Sequence, residues 1–384
     1  MRFTTFILKN VLRRPVRSIL TGIGVALAVG AVVALLGISS GFEESFAEIF
    51  ERRNVDLIVV RAGVAEWRNS IIDEQIGRRL QAAPWVERVT GGLMETVSFS
   101  EEEQVTTIVV VQGWEPDSFM FADLKFVEGR QFQPSDSRAV ILGSVLAANL
   151  GKKVGDTVEI ELEQFTVTGV YESFNVIENG SAIVPLSELQ KLMDLSGKVT
   201  AFQVVVENTP GKKQVIQKLR EYVENMKDER GRPGRLAAFP TRDYVERTLQ
   251  IRMAHAMAWL TSAIALVIGA VGMLNTMIMS VFERTREIGI LRAIGWRKSR
   301  IMWMILGESL VLCVVGAVAG TIGAVLLTKW LSSLPAVAGF IRGDIHPEVI
   351  AQGFAIALLV GLIGGLYPAY RGATLSPTEA IRHE

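Results

Sequence analysis

Two polar residues occupy places where a side chain of their type is costly. Asn275 and Glu308 each fall inside a long apolar stretch of the 384-residue chain. A charge at the centre of a membrane helix costs about 2.5–3.5 kcal/mol on insertion scales, so such a group faces protein or water rather than lipid. At about 1.5 Å of rise per helical residue, both groups lie roughly 10 Å from one surface, at matching depth. The spacing predicts that Glu308 points into a helix bundle, with Asn275, Ser280 or Ser309 as hydrogen-bonding neighbours. Two roles stay open for it, a polar clamp that fixes helix register and a group that takes up a proton or lines a cargo path. Between the two stretches, residues 282–300 alternate charges with Ile290, Leu291 and Ile294 at helical spacing. That pattern predicts a short amphipathic helix, which either docks a partner or rests at the lipid headgroups.

Catalytic chemistry finds no support. His255, His346 and His383 are scattered, and neither a His-Glu-x-x-His spacing nor a Gly-x-Ser-x-Gly elbow occurs. His255 and His346 fall at predicted helix ends, where they are either solvated or ligands for a haem or metal cargo. The one cysteine, Cys313, excludes an internal disulfide and leaves no cysteine-based metal site. A Gly-x-x-x-x-Gly-Lys-Ser/Thr phosphate loop is missing. Its nearest approaches, Gly151-Lys152-Lys153 and Gly211-Lys212-Lys213, lack the preceding glycine and the following hydroxyl. The expectation is therefore a chain without catalytic residues, metal or cofactor.

The elements that position these residues follow from composition. With 49% hydrophobic and 21% charged residues, an apolar membrane part and an aqueous part must coexist. Forty basic against forty acidic residues give no bulk attraction for nucleic acid. Residues 18–38, 257–281, 301–327 and 349–367 are apolar over the roughly 20 residues that cross a 30 Å hydrocarbon core. The first is too long for a cleaved signal peptide and reads as an anchor. Arg2, Lys9, Arg13, Arg14 and Arg17 precede it without an acidic residue, and six basic residues lie in 282–300, whereas the loop 328–348 carries only Lys329 and Arg342. Basic residues are retained on the cytoplasmic side. Both termini (1–17 and 368–384) and the 282–300 loop are thus expected inside, and residues 39–256 and 328–348 outside.

Residues 39–256 predict an inserted α+β domain of two lobes. Strands are expected at 56–61, 106–112, 157–160, 165–171 and 202–206, helices at 144–150, 186–192 and 212–225, and a loop at 227–240. The acidic run 101–103 predicts a solvated hairpin tip. Phe42, Phe46, Ile49 and Phe50 continue the first helix beyond the span with one apolar face. A second stalk is predicted from Pro240 with Thr241 as N-cap. Within the spans, Ala26-xxx-Gly30-xxx-Ala34, Gly316-xxx-Gly320 and Gly361-xxx-Gly365 predict close helix packing.

The loop's Glu283-Arg284, Glu287-Ile288-Gly289 and Ala293-Ile294-Gly295 resemble the signature of the FtsX/MacB-type ABC permeases. The run from Tyr367-Pro368-Ala369-Tyr370-Arg371-Gly372 to Arg382 is similar to that family's closing motif. Three more clusters, at 112–116, 128–132 and 140–143, and two at 150–156 and 165–170, follow the order of a MacB-like periplasmic core domain. The resemblance implies an inner-membrane, multi-pass permease that forms a homodimer or pairs with a related permease. It implies a cytoplasmic ATPase on a separate polypeptide, holding ATP and Mg, with a periplasmic adaptor as a further partner beside membrane lipid. Glu283, Arg284, Arg286, Glu287, Gly289, Arg292 and Gly295 become its ATPase-coupling residues. The expected activity is export of a lipid, lipoprotein, peptide or macrolide-like drug. The alternatives are an FtsX-like mechanical transmitter acting on a cell-wall hydrolase or sensor, and a receptor or scaffold.

Overall fold

The computed structural model describes residues 13, 15–64, 69–100, 107–227, 231–332 and 345–375. Arg2, Lys9, Arg14, the acidic run 101–103, Arg342, His383 and the closing motif beyond Leu375 lie outside the described residues. The described residues divide into a helical unit, up to Gly41 and from Met253 onward, and a sheet domain within Phe42–Arg252.

Among the described residues, four helices are long and apolar enough to cross a membrane: α1 (Pro15–Glu51), α8 (Leu249–Glu283), α10 (Lys298–Ser332) and α11 (Pro347–Thr374). Their 28 to 37 residues exceed the expected spans at both ends. Apolar burial does not drive helices together in lipid, so close backbone approach must. Glycine supplies that approach here. A Cβ on Gly320 of α10 would collide with the Ala26 carbonyl of α1 and come 3.0 Å from the Gly30 nitrogen, and one on Gly316 would lie 2.7 Å from Val25 Cγ1. On α11, a Cβ on Gly361 would lie 2.9 Å from Cys313 Sγ, and one on Gly365 would collide with the Ser309 hydroxyl. Ser309 Oγ lies 3.0 Å from the Gly361 carbonyl, a hydrogen bond between α10 and α11. All three predicted small-residue faces are therefore in use.

In the sheet domain, the strands are β1 (Leu57–Arg61), β2 (Ile72–Asp73), β3 (Val86–Ser100), β4 (Thr107–Trp114), β5 (Lys125–Gly129), β6 (Ala139–Gly143), β7 (Thr157–Ile160), β8 (Glu163–Glu172), β9 (Ala182–Pro185), β10 (Lys198–Val199), β11 (Ala201–Val206) and β12 (Leu236–Pro240). Helices α2 (Gln75–Gln81), α3 (Ser144–Leu150), α4 (Val176–Asn179), α5 (Leu186–Leu192), α6 (Lys212–Glu224) and α7 (Thr241–Arg247) accompany them. One sheet runs β12-β1-β11-β3-β4-β9-β6-β8-β5, with β7 pairing β3 and β8, while β2 and β10 form a separate ribbon. The two expected lobes are the two halves of this sheet, joined by β3. Its Val86–Gly92 part pairs with β11 and its Leu93–Phe99 part with β4. The handover falls between Gly92 and Leu93; beside it, a Cβ on Gly91 would lie 3.1 Å from both Phe202 and Val199. Strand β1 shows why the strands read as unbroken apolar runs: Leu57 and Val59 enter one core, Ile58 and Val60 the other.

Three expectations are corrected. The 227–240 segment ends in a strand, because the apolar Leu236–Pro240 pairs antiparallel with all of β1. Thr241 is the first residue of α7 rather than its cap, and its hydroxyl donates to the Val55 carbonyl at 2.6 Å. The second stalk is not continuous. Thr248 is extended (φ −60°, ψ 132°) between α7 and α8, and its hydroxyl bonds back to the Tyr244 carbonyl at 3.0 Å. A threonine hydroxyl offers the backbone this local alternative, which a proline and glycine count overlooks. The first stalk is one helix, and Phe42, Phe46, Ile49 and Phe50 pack into the domain core beside Tyr244.

Because the neighbours of Gly320 are backbone atoms that cannot yield, Gly320→Leu should destabilise the detergent-solubilised chain by about 3 kcal/mol, within the range for overpacked sites. Thermal unfolding in detergent checks this. Equal stability of mutant and wild type would mean that α1 and α10 do not pack through this face.

Candidate functional site

Among the described residues of the helical unit, charged side chains from several helices meet where α8 ends. Successive helical residues point about 100° apart, so the adjacent charges Glu283 and Arg284 reach different neighbours. Glu283 pairs with Arg17 of α1, with Nη1 2.8 Å from Oε2. Arg284 turns inward and its Nη1 donates to both carboxylate oxygens of Glu308 on α10, at 2.9 and 3.1 Å. Both side chains are almost wholly enclosed, 11% and 7% exposed. Arg284 leaves helical geometry (φ −108°, ψ 12°) and so separates α8 from α9 (Thr285–Ala293). From α11, the Arg371 guanidinium lies 4.9 Å from the Phe282 ring centroid, and a Cβ on Gly372 would lie 2.8 Å from Ile305. All four long helices therefore converge on this turn.

Helix α9 has two faces. Ile288 and Gly289 are buried, whereas Arg286, Glu287, Ile290, Ala293 and Ile294 are exposed. Its end is a glycine cap. The Trp296 N–H donates to the Leu291 carbonyl and the Gly295 N–H to that of Arg292, at 3.1 Å each, with Gly295 in the left-handed region at φ 100°. Arg292 is half-buried and its Nη1 donates to the Trp296 carbonyl at 3.0 Å. The expected apolar stripe is thus divided: Ile288 takes the buried side, while Ile290 and Ile294 face outward with the charges.

These observations place the sequence-derived residues. Arg286, Glu287 and Gly295 lie on the open face; Arg284 and Gly289 do not, and Glu283 is held by Arg17. Arg284 as a surface contact is corrected to a buried ion pair. Asn275 does not meet Glu308; it sits on the exposed face of α8. The depth argument fixed height along the helix axis but carries no information on direction around it. Ser280 makes no bond to Glu308 among the described residues, and Ser309 turns to the Leu306 and Gly361 carbonyls instead.

Residues 259–377 match the FtsX-like permease C-terminal domain, and residues 18–222, more than half of the chain, match the MacB-like periplasmic core domain. The chain belongs to the FtsX/MacB-type ABC transporter permeases. It is an inner-membrane protein, of a family whose permeases work with an ABC ATPase and typically assemble as dimers. The permease is 25% identical to an uncharacterized ABC transporter permease of Methanocaldococcus jannaschii, over 99% of this chain and 97% of that protein. It is 28% identical to the macrolide export ATP-binding/permease protein MacB of Nitrobacter winogradskyi over 96% of this chain, which spans 58% of that relative's length. Identity is 25% to the lipoprotein-releasing system transmembrane protein LolC of Xylella fastidiosa, over 94% of this chain and 92% of that protein.

A second charged cluster, which the sequence did not suggest, lies in the sheet domain of the permease. Arg53, just past the end of α1, has no exposed side-chain surface. It donates Nη1 and Nη2 to the two Glu178 oxygens at 2.8 and 3.1 Å and Nε to Asp123 at 2.6 Å. Burial alone would lower its pKa, but Glu178 and then Asp123 outweigh that and raise it, so the guanidinium stays charged. Ser173 Oγ donates to Glu178 at 2.6 Å, and Asn175 Nδ2 donates to the Ser45 carbonyl of α1 at 2.7 Å. The partners are 70 to 130 residues apart, so no local pattern announces them.

Removing one member of a buried ion pair strands the other, at about 3–5 kcal/mol. Glu308→Leu is expected to lower stability by that amount, and the double change Arg284→Met/Glu308→Leu to recover most of it. Unfolding of the purified variants in detergent measures the cycle; additive losses would show that the two charges do not support each other.

Proposed function

We propose that a cytoplasmic ABC ATPase docks on the open face of α9, and that its ATP cycle moves the inserted domain to extrude an amphipathic cargo of the lipid, lipoprotein, peptide or macrolide-like class. The observation that carries this reading is the division of α9. Its inner side is locked to α10 through Arg284 and Glu308, leaving Arg286, Glu287, Ile290 and Ile294 exposed together. A mixed apolar and charged face on a helix fixed from behind suits a protein partner better than a headgroup layer, since acidic Glu287 lies at its centre. With termini and α9 inside, the basic residues of 282–300 also obey the retention rule.

The relatives' names support export and differ on cargo: macrolide for MacB, lipoprotein for LolC. Amphipathic character is what those cargoes share. A second copy, or a related permease, is proposed to cover α8. Met257, Leu260, Ile264, Val267, Val271, Asn275 and Met279 recur there at intervals of three or four and are exposed. An amide within a span is better placed against another protein surface than against hydrocarbon. The second reading, an FtsX-like transmitter without cargo, draws on the unbroken course of α1 from Pro15 to Glu51, which suits mechanical transmission equally.

Glu287→Lys tests the docking face. The ATPase activity of the complex is expected to fall at least about fivefold through like-charge juxtaposition, while the variant inserts normally and loses no more than about 1 kcal/mol of stability. Unchanged ATPase would remove α9's open face from the interface. For orientation, Ser137→Cys should label from outside intact cells and Ser299→Cys only after permeabilisation. Both positions are exposed, and the native Cys313 is buried. Labelling of Ser299→Cys from outside would invert the topology.

A further inference from the structure

The turn between α9 and α10 concentrates positive charge at one end of a long apolar helix. From Ile288 to Gly307 the sequence carries Arg292, Arg297, Lys298 and Arg300 and no acidic residue. Arg297, Lys298 and Arg300 are exposed, and α10 starts at Lys298. Cations at the start of a helix oppose its dipole, so three of them stand where the helix itself disfavours them. An anion drawn to the turn offsets that cost.

The level of the turn follows from α10. Trp303 and Trp330, both exposed, span roughly 40 Å along the helix at about 1.5 Å per residue. That is about the thickness of a bilayer with its headgroup layers, and tryptophan settles at the two boundaries. From Trp303 to Leu327 every exposed residue of α10 is apolar or glycine, so this face suits acyl chains. Arg300 stands one turn beyond Trp303 on the same face: Trp303, Val314, Val318 and Ile322 all lie within about 60° of it around the helix. Its charge therefore sits at the level of lipid phosphates, directly in line with the chains.

The arginine is also directed. Its guanidinium lies 4.3 Å from the centroid of the Trp296 ring. The Trp296 backbone is fixed in turn, its N–H donating to the Leu291 carbonyl at 3.1 Å and its carbonyl accepting from Arg292 Nη1 at 3.0 Å. A guanidinium stacked by its face uses its edge donors for hydrogen bonding, and that fork matches phosphate oxygens.

We infer that Arg297, Lys298 and Arg300 form a site for the headgroup of an anionic phospholipid whose acyl chains lie along α10. The site uses none of the exposed α9 residues assigned to ATPase docking, and it holds whichever way the chain is oriented and whatever it exports.

The test uses the full chain in phosphatidylcholine nanodiscs prepared with increasing fractions of brominated phosphatidylglycerol or, separately, brominated phosphatidylcholine, with tryptophan quenching as the readout. Trp303→Phe removes the reporter beside the site, and the difference from wild type isolates its signal. Phosphatidylglycerol is expected to associate there about tenfold more strongly than phosphatidylcholine. Arg297→Gln/Lys298→Gln/Arg300→Gln should reduce that preference to about twofold or less, and Arg138→Gln, in the sheet domain, should leave it unchanged. Thermal unfolding verifies the fold, and Arg300→Gln alone, expected to weaken the preference by about threefold, serves if the triple variant does not fold. Equal quenching by the two lipids in the wild type would overturn the inference. So would a preference that the variants leave unaltered while they lose binding of a partner ATPase, which would assign the three cations to a protein contact.

Discussion

The ion pair between Arg284 and Glu308 sets the terms for the membrane unit. A carboxylate within a span is tolerated only if its charge is met and its oxygens are bonded, and one guanidinium reaches both oxygens at 2.9 and 3.1 Å. Arg284 also leaves helical geometry, which separates α8 from α9. The preceding residue, Glu283, pairs with Arg17. One dipeptide fixes three helices, and Phe282 against Arg371 adds the fourth. The Glu-Arg pair in the family signature has a structural reason that comes before any contact with a partner.

Glycine completes what the charges begin. Among the described residues, the ion pairs between these helices lie near the α8–α9 turn; further along the bundle, Gly316 and Gly320 let α10 meet α1, and Gly361 and Gly365 let α11 meet α10. No larger residue fits these positions without moving a backbone or a packed side chain. The sheet domain repeats the polar half of this arrangement with Arg53, Glu178 and Asp123, which tie the end of α1 to α4 and to the segment before it through Ser173 and Asn175, with Tyr171 of β8 bonded to the Glu178 carbonyl.

Much of this was legible in the sequence because its causes are local or periodic. The spans follow from apolar length, α3, α5 and β7 from their patterns to the residue, and the small-residue faces from spacing. What was not legible depends on partners distant in the chain. Strand β3 is punctuated by charges and by Gly91-Gly92, so its fifteen residues carry no clear alternation; only pairing with β11, β4 and β7 makes it a strand. Strand β12 is hidden behind a charged, glycine-rich approach until β1 pairs with it. Asn275 and Glu308 share a depth but not a direction, and direction is what decides contact.

The two connections between helical unit and sheet domain differ in a way that bears on motion. Helix α1 runs without a break from Pro15 to Glu51 and carries close packing along both parts: Val25, Val29 and Val33 in the bundle, Ile49 and Phe50 in the domain core. Bending it would break hydrogen bonds and packing together. The other connection passes through Thr248, one extended residue between α7 and α8, where a change of backbone angles costs no helical hydrogen bond across the break.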